Sequence, residues 1–246
     1  MSEADAYVML ITSLPSTEAL LLAKRAPLSR IRLEQRLRVL TDEDANTLRV
    51  VENAVDWRQF PIGVSEAEVI QRAQLALSLI SNEVLRAIVC HRLELRTCIA
   101  ALRRRSRGED PPTNIEWGWG RWVNHIERHW TEPTFRLEGV FPWLGEADKK
   151  MSEADVNGLE TLLLEQSYQH LQRNEYLHAF NIEAVVIYVL KWNIVDRLTR
   201  HNADAAAKRF GDLTSVGLGD YATLFTDPLP AHHHLLKAVF QGLGND

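Results

Sequence analysis

His125 and His129 stand four residues apart, the spacing that puts two imidazoles on one helical face, as a zinc site requires. Glu127 lies between them, whereas the metalloprotease pattern needs its glutamate directly after the first histidine. No third ligand accompanies the pair. A polar helix face between Trp122 and Trp130 is the simpler reading, and no metal or other cofactor is expected. The tract His232-His233-His234 would splay around a helix axis, so it attracts metal only as any histidine tract does.

A second constellation is basic. Arg86, Arg92, Arg96, Arg103, Arg104, Arg105 and Arg107 crowd one segment in which Glu94 is the acid in their midst. Positions 92, 96 and 103 differ by four and seven, so on a helix they share one flank. Such a row could track a phosphate backbone. The chain as a whole is acidic, with 28 Lys and Arg against 33 Asp and Glu and a formal charge of −5. No helix-turn-helix, zinc or RNA-binding signature goes with the row, so nucleic acid should bind weakly and without sequence selectivity. Arg92, Arg96 and Arg103 are the candidate partner-binding residues, turned outward to meet an acidic protein. The competing reading is that they pair with the chain's own carboxylates.

The third constellation is aromatic. Glu116-Trp117-Gly118-Trp119-Gly120-Arg121-Trp122 could stack on a sugar or a base. Tryptophans in an irregular segment more often pin it to the core, and that reading is preferred. Nucleotide and nucleophile motifs are missing: there is no G-x-x-x-x-G-K-[ST], no G-x-G-x-x-G and no G-x-S-x-G. A non-catalytic protein without a small-molecule substrate is therefore expected. The alternative is a helical enzyme or metal-binding protein using His125 and His129.

The elements that position these residues read as helices. Thr41-Asp42-Glu43-Asp44, Ser65-Glu66-Ala67-Glu68 and Ser152-Glu153-Ala154-Asp155 each have the chemistry of a helix start, with acids in the first turn. The helix after Ser65 carries Val69, Ile70, Ala73, Ala76, Leu77 and Ile80 on one stripe. The longest expected helix, Asn82 to Arg105, buries Leu85, Ile88, Leu95, Ile99 and Leu102, widened by Val89 and Leu93. Gly108-Glu109-Asp110-Pro111-Pro112 stops it. Residues 111–145 read as irregular and hold five of the seven tryptophans, with one short helix near Arg121–Trp130 and a turn at Phe141-Pro142-Trp143. Helices over Glu153–Arg173 and Ile182–Arg200 follow, the second capped by Asn181 and apolar on most sides. Shorter helices are expected over Asp204–Leu213 and after Pro230. Tyr7–Ile11 is compatible with a strand but too short to assign.

The expected fold is thus all-α, a multi-helix bundle-like array with an irregular Trp-rich centre. Its parts are an N-terminal helical lobe (1–110), a connector (111–145) and a C-terminal lobe (146–246), which could form one continuous domain. At 46% hydrophobic and 25% charged residues, the composition excludes disordered and fibrous classes. Cys90 and Cys98, about 12 Å apart along a helix, lie beyond disulfide reach and should be buried thiols. The acidic start, Met1 to Ala6, is unlike a signal peptide, and no apolar run approaches the ~20 residues needed to cross a bilayer. A cytoplasmic protein that does not itself insert into membranes is expected.

Three stretches carry a family resemblance. They are Tyr7-Val8-Met9-Leu10-Ile11-Thr12-Ser13-Leu14-Pro15 with Pro27-Leu28-Ser29 and Leu40 to Asp44; Leu93 to Arg103 with Gly108-Glu109-Asp110-Pro111; and Phe180 to Lys191 with Asp196-Arg197-Leu198 and Arg209-Phe210. Together, over residues 7–213, they resemble an uncharacterised bacterial family encoded among the subunits of V-type (A-type) ATP synthases. The resemblance implies a non-catalytic stalk role, with V-type ATPase subunits as partners. Such operons often lack a recognisable gene for the socket, the all-helical piece that joins the central shaft to the rotor ring, and a family encoded there is a natural stand-in. That socket is larger and built from three similar helical units, whereas this chain has no internal repeat. The implied location is peripheral, at the inner face of the cell membrane, held through other subunits.

Overall fold

Most helices among the described residues start where a side chain takes up a backbone N–H that the helix would leave orphaned. The computed structural model describes residues 3–16, 25–56, 65–112, 115–175 and 177–218, with side chains from Asp5 to Arg200. These are all-α, with no strand among the described residues: α1 (Glu3–Ser13), α2 (Arg30–Leu37), α3 (Asp42–Val55), α4 (Glu66–Leu79), α5 (Glu83–Ser106), α6 (Val123–Arg128), α7 (Leu144–Ser152), α8 (Val156–Glu175) and α9 (Ile182–Leu218). The ambiguous Tyr7–Ile11 is helical, in α1.

Caps decide most boundaries. The Thr41 hydroxyl accepts from Asp44 N–H at 3.2 Å, the Ser65 hydroxyl from Glu68 N–H at 3.2 Å, and Asn82 Oδ1 from Val84 and Leu85 N–H. Asn181 Oδ1 takes Ala184 N–H at 3.0 Å. At its other end α4 is closed by a long-range donor: Arg86 Nη1 donates to Leu77 O at 2.7 Å and Ile80 O at 3.3 Å.

Ser152 behaves differently from expectation. It ends α7 instead of opening a helix, its hydroxyl donating to Lys149 O at 2.7 Å. Ala154 turns the chain at φ +54°, and Asp155 accepts Gly158 N–H at 2.8 Å at the start of α8. The acids after Ser152 therefore serve two helices. Nor does α9 break near Arg200: the two helices expected there are one, Ile182–Leu218. The helix expected after Pro230, and His232 to His234, lie outside the described residues.

Residues 1–199 form one compact unit and residues 200–246 a second. Within the first, α5 is the spine. Its 24 residues, about 36 Å long, run through two apolar clusters. Leu85, Ile88, Val89 and Leu93 pack with α1 to α4, the C-terminal half of α8 and α9. Leu95, Cys98, Ile99 and Leu102 pack with the Trp-rich segment, α7 and the start of α8. Cys98 is buried and Cys90 only half-buried; both are free thiols. Burial pushes the Cys98 thiol up to about 12.

Side chains of α9 reach back to the chain's early segments. Tyr188 Oη donates to Pro15 O and Trp192 Nε1 to Leu28 O, each at 2.9 Å. Among the described residues, no helix is long and apolar enough to cross a membrane.

Candidate functional site

The arginine-rich half of α5 and the first turns of α4 do not close on each other completely. Between them lies a cleft of about 430 Å³, edged by the loop Trp117-Gly118-Trp119. Its floor is apolar, with Val69, Ile70, Ala73, Leu93 and Ile99. Its wall is basic, with Arg96, Arg103 and Arg107. A volume of this size lies in the ~300–1,000 Å³ range of small-ligand and side-chain sites.

The loop is held on α5 by one hydroxyl. Thr97 Oγ1 accepts Trp119 N–H at 2.7 Å, and its own proton faces Trp119 O at 3.0 Å and Leu93 O at 3.1 Å. Gly118 fits because a Cβ there would come within 2.6 Å of the Thr97 methyl. Trp117 is buried, donates from Nε1 to Glu127 at 2.8 Å and meets Trp130 edge-on at 6.1 Å. Trp130 donates to Glu109 O at 2.9 Å. The tryptophans thus pin the irregular segment to the core, as preferred from sequence, and two of them also form the cleft's edge.

Charge in the cleft is one-sided. Among the described residues that line it Glu66 is the one acid, and Arg104 already grips both of its oxygens. Arg104 also pairs with Glu109 at 3.1 Å, and Arg107 with the same carboxylate at 2.8 Å. Arg105 turns the opposite way. It donates to the Glu132 and Pro133 carbonyls, pairs with Asp148 at 2.9 Å and covers the Phe135 ring, bracing a loop in which Phe135 and Arg136 hold φ +53° and +56°. Of the arginines closing α5, then, 104, 105 and 107 do pair internally. Arg103 sits exposed at the rim, with no hydrogen bond or ion pair of its guanidinium among the described residues.

The structure brings together two of the three arginines singled out from sequence. Arg96 and Arg103 both line the cleft, Arg96 half-buried and Arg103 at its edge. Partial burial lowers both guanidinium pKa values, and each is lowered further by its cationic neighbour, Arg103 for Arg96 and Arg107 for Arg103. Arg92 departs from expectation. It does not line the cleft, and its Nε and Nη1 atoms are shut off from solvent instead of facing outward. Burial, then the nearby Arg197, lowers its pKa to about 9. The physical reason is α5's central position: its flank is open beside α4 but covered further toward its N-terminus.

His125 and His129 stack at 4.3 Å, and one nitrogen of each ring faces a backbone carbonyl. His125 Nε2 lies 3.0 Å from Phe135 O and His129 Nδ1 lies 2.9 Å from His125 O. Facing a carbonyl, each of these nitrogens must carry its proton, which removes it as a metal ligand. No group of three or more His, Cys, Asp or Glu is placed to hold a metal among the described residues. Sequence reasoning missed the contributions of Glu66, Thr97 and the α4 residues to the cleft, since nothing local signals that α4 stands against α5. No family model, curated protein or solved structure matches this chain.

Proposed function

We propose that this protein is a non-catalytic adaptor of a bacterial V-type (A-type) rotary ATPase, linking the central stalk to the membrane rotor through protein–protein contacts. Two lines support the reading. One is the resemblance over residues 7–213. The other, which carries it, is the arginine-walled cleft on the central helix, with Arg96 and Arg103 on one wall and Arg104 neutralising the single acid. A basic cleft on a protein of net negative charge gives an oriented docking face, because the overall charge opposes acidic partners away from it. An adaptor needs that face, stiff helices and no reactive centre.

The test is co-purification from the native host with an affinity-tagged chain, identifying captured proteins by mass spectrometry. Wild type should bring down ATPase shaft or ring proteins. The double reversal Arg96→Glu with Arg103→Glu, verified as folded by its melting curve, should not. A wild-type chain that brings down no part of the ATPase would remove the proposal.

A further inference from the structure

We propose that the α4–α5 cleft seats an acidic helical segment of the protein partner, its carboxylates meeting Arg103 and Arg107 at the rim and an apolar side chain entering toward Leu93 and Ile99. The inference rests on the docking reading above and gives it a chemistry.

Three features of the cleft select this occupant. The first is charge. The lining acid Glu66 is held by Arg104, so its charge is already balanced. Among the described residues Arg107 is paired with Glu109, through a side chain that is 65% exposed. Exposed pairs contribute little, so Glu109 yields readily to an incoming carboxylate. Arg103 has no partner to give up among the described residues.

The second feature is spacing. Arg103 and Arg107 lie one helical turn apart, about 6 Å along α5. Two acids four residues apart on a helix running alongside repeat that distance in either chain direction. Arg96 stands seven residues before Arg103, about 10 Å deeper along the wall.

The third is the apolar floor. A purely ionic surface would need no cavity, and a phosphate-binding groove would need no pocket of Val69, Ile70, Ala73, Leu93 and Ile99. Together these match an amphipathic acidic helix, with an anchoring side chain placed one turn from its carboxylates. Nucleic acid fits less well, since the chain's net charge of −5 opposes its approach.

The experiment measures binding of a labelled helical peptide to the full chain at physiological salt. The alanine-rich probe carries two glutamates four residues apart, with a leucine one turn to either side on the same face. Its isomer has the same composition with these four residues dispersed around the helix. The expected result is saturable binding of the first, tighter than that of the isomer by about tenfold or more, the scale of one well-placed charge pair. Two variants separate the contributions. Arg103→Glu, at an exposed position, reverses the charge, and Ala100→Trp fills the cavity without touching it. Each should weaken the probe by about tenfold while the melting temperature stays close to wild type.

Equal binding of the two isomers, or indifference to Arg103→Glu, would overturn the proposal. So would displacement of the probe by uridine homopolymer RNA at comparable concentration, which would make the cleft a nucleic-acid site. Failure of this inference is distinct from failure of the ATPase reading. Loss of co-purification in the double reversal without probe binding removes only the chemistry of the seat. Probe binding by a chain that brings down no part of the ATPase keeps the seat and removes the ATPase.

Discussion

Arg104 and Glu66 join α5 to the first turn of α4 through two parallel contacts, Nε to Oε1 at 3.1 Å and Nη2 to Oε2. The pair does two things at once. It sets the mouth of the cleft, and it cancels the one negative charge that would otherwise compete with an acidic ligand for Arg96 and Arg103. Planar fork-to-carboxylate pairing is particular to arginine.

Arg104→Ala should therefore cost about 1 kcal/mol in urea unfolding, the modest value suited to a partly exposed pair. It should also weaken binding of the acidic probe, because the released Glu66 then faces the remaining arginines. Glu66→Gln should leave probe binding intact. Stronger probe binding by Arg104→Ala than by wild type would contradict this role.

Thr97→Val keeps the volume at position 97 and removes the hydroxyl that accepts Trp119 N–H. The expected cost is about 1–2 kcal/mol, that of leaving a largely enclosed donor unmet. Amide exchange at Trp119 should accelerate more than at the α5 core. Unchanged exchange would mean that the Trp loop is held by its tryptophans alone.

Much of this architecture is legible in the residues themselves. Thr41, Ser65 and Asn181 announce three helices because capping is local chemistry, and Asn82 caps a fourth in the structure. The buried face of α5 follows from the spacing of Leu85, Ile88, Leu95, Ile99 and Leu102. What escaped depends on distant partners. Helix α7 buries only Leu144 and Ala147, too little to show a stripe, and is reinforced by lateral pairs such as Lys150 with Glu146 at 3.6 Å. Ser152 reads as a cap because Ser-x-x-Asp is indifferent to direction until Ala154 turns the chain. The inward turn of the Arg92 guanidinium could be known only once Arg197 of α9 is placed beside it. The cleft itself was half legible: spacing joins Arg96 to Arg103, but not to Val69 or Trp119.

Lys191 is 3% exposed in α9, with its ammonium 2.6 Å from Glu175 and 5.0 Å from the Tyr168 ring. Removing one partner of such a pair costs more than removing the charge from the buried end. Glu175→Ala should lower stability by about 2 kcal/mol, discounted because Glu175 is itself partly exposed. Lys191→Met should cost less, since it leaves a charge only where water reaches. The two unfolding curves check this, and the reverse order would refute the assignment.

His91 and His170 stack at 3.6 Å between α5 and α8, each held down to about 4. Burial is the main cause for both. Arg92 and Arg173 add to it for His91, and His91 and Arg173 for His170. The folded values lie below the unfolded value of about 6.5, so the unfolded chain binds more protons between the two. The stability this pair contributes is fully present above pH 6.5 and is lost as pH falls toward 4. Melting temperatures across that window should drop for wild type and drop less for His170→Gln. Parallel curves would place the acid sensitivity elsewhere.

The most direct measurement of the central claim is equilibrium binding between the purified chain and a purified V-type ATPase from the same host at physiological salt. Wild type should bind saturably. Arg96→Glu with Arg103→Glu, matched to wild type in melting temperature, should lose about tenfold or more in affinity. An absence of wild-type binding, or equal binding by the reversed variant, would contradict the account.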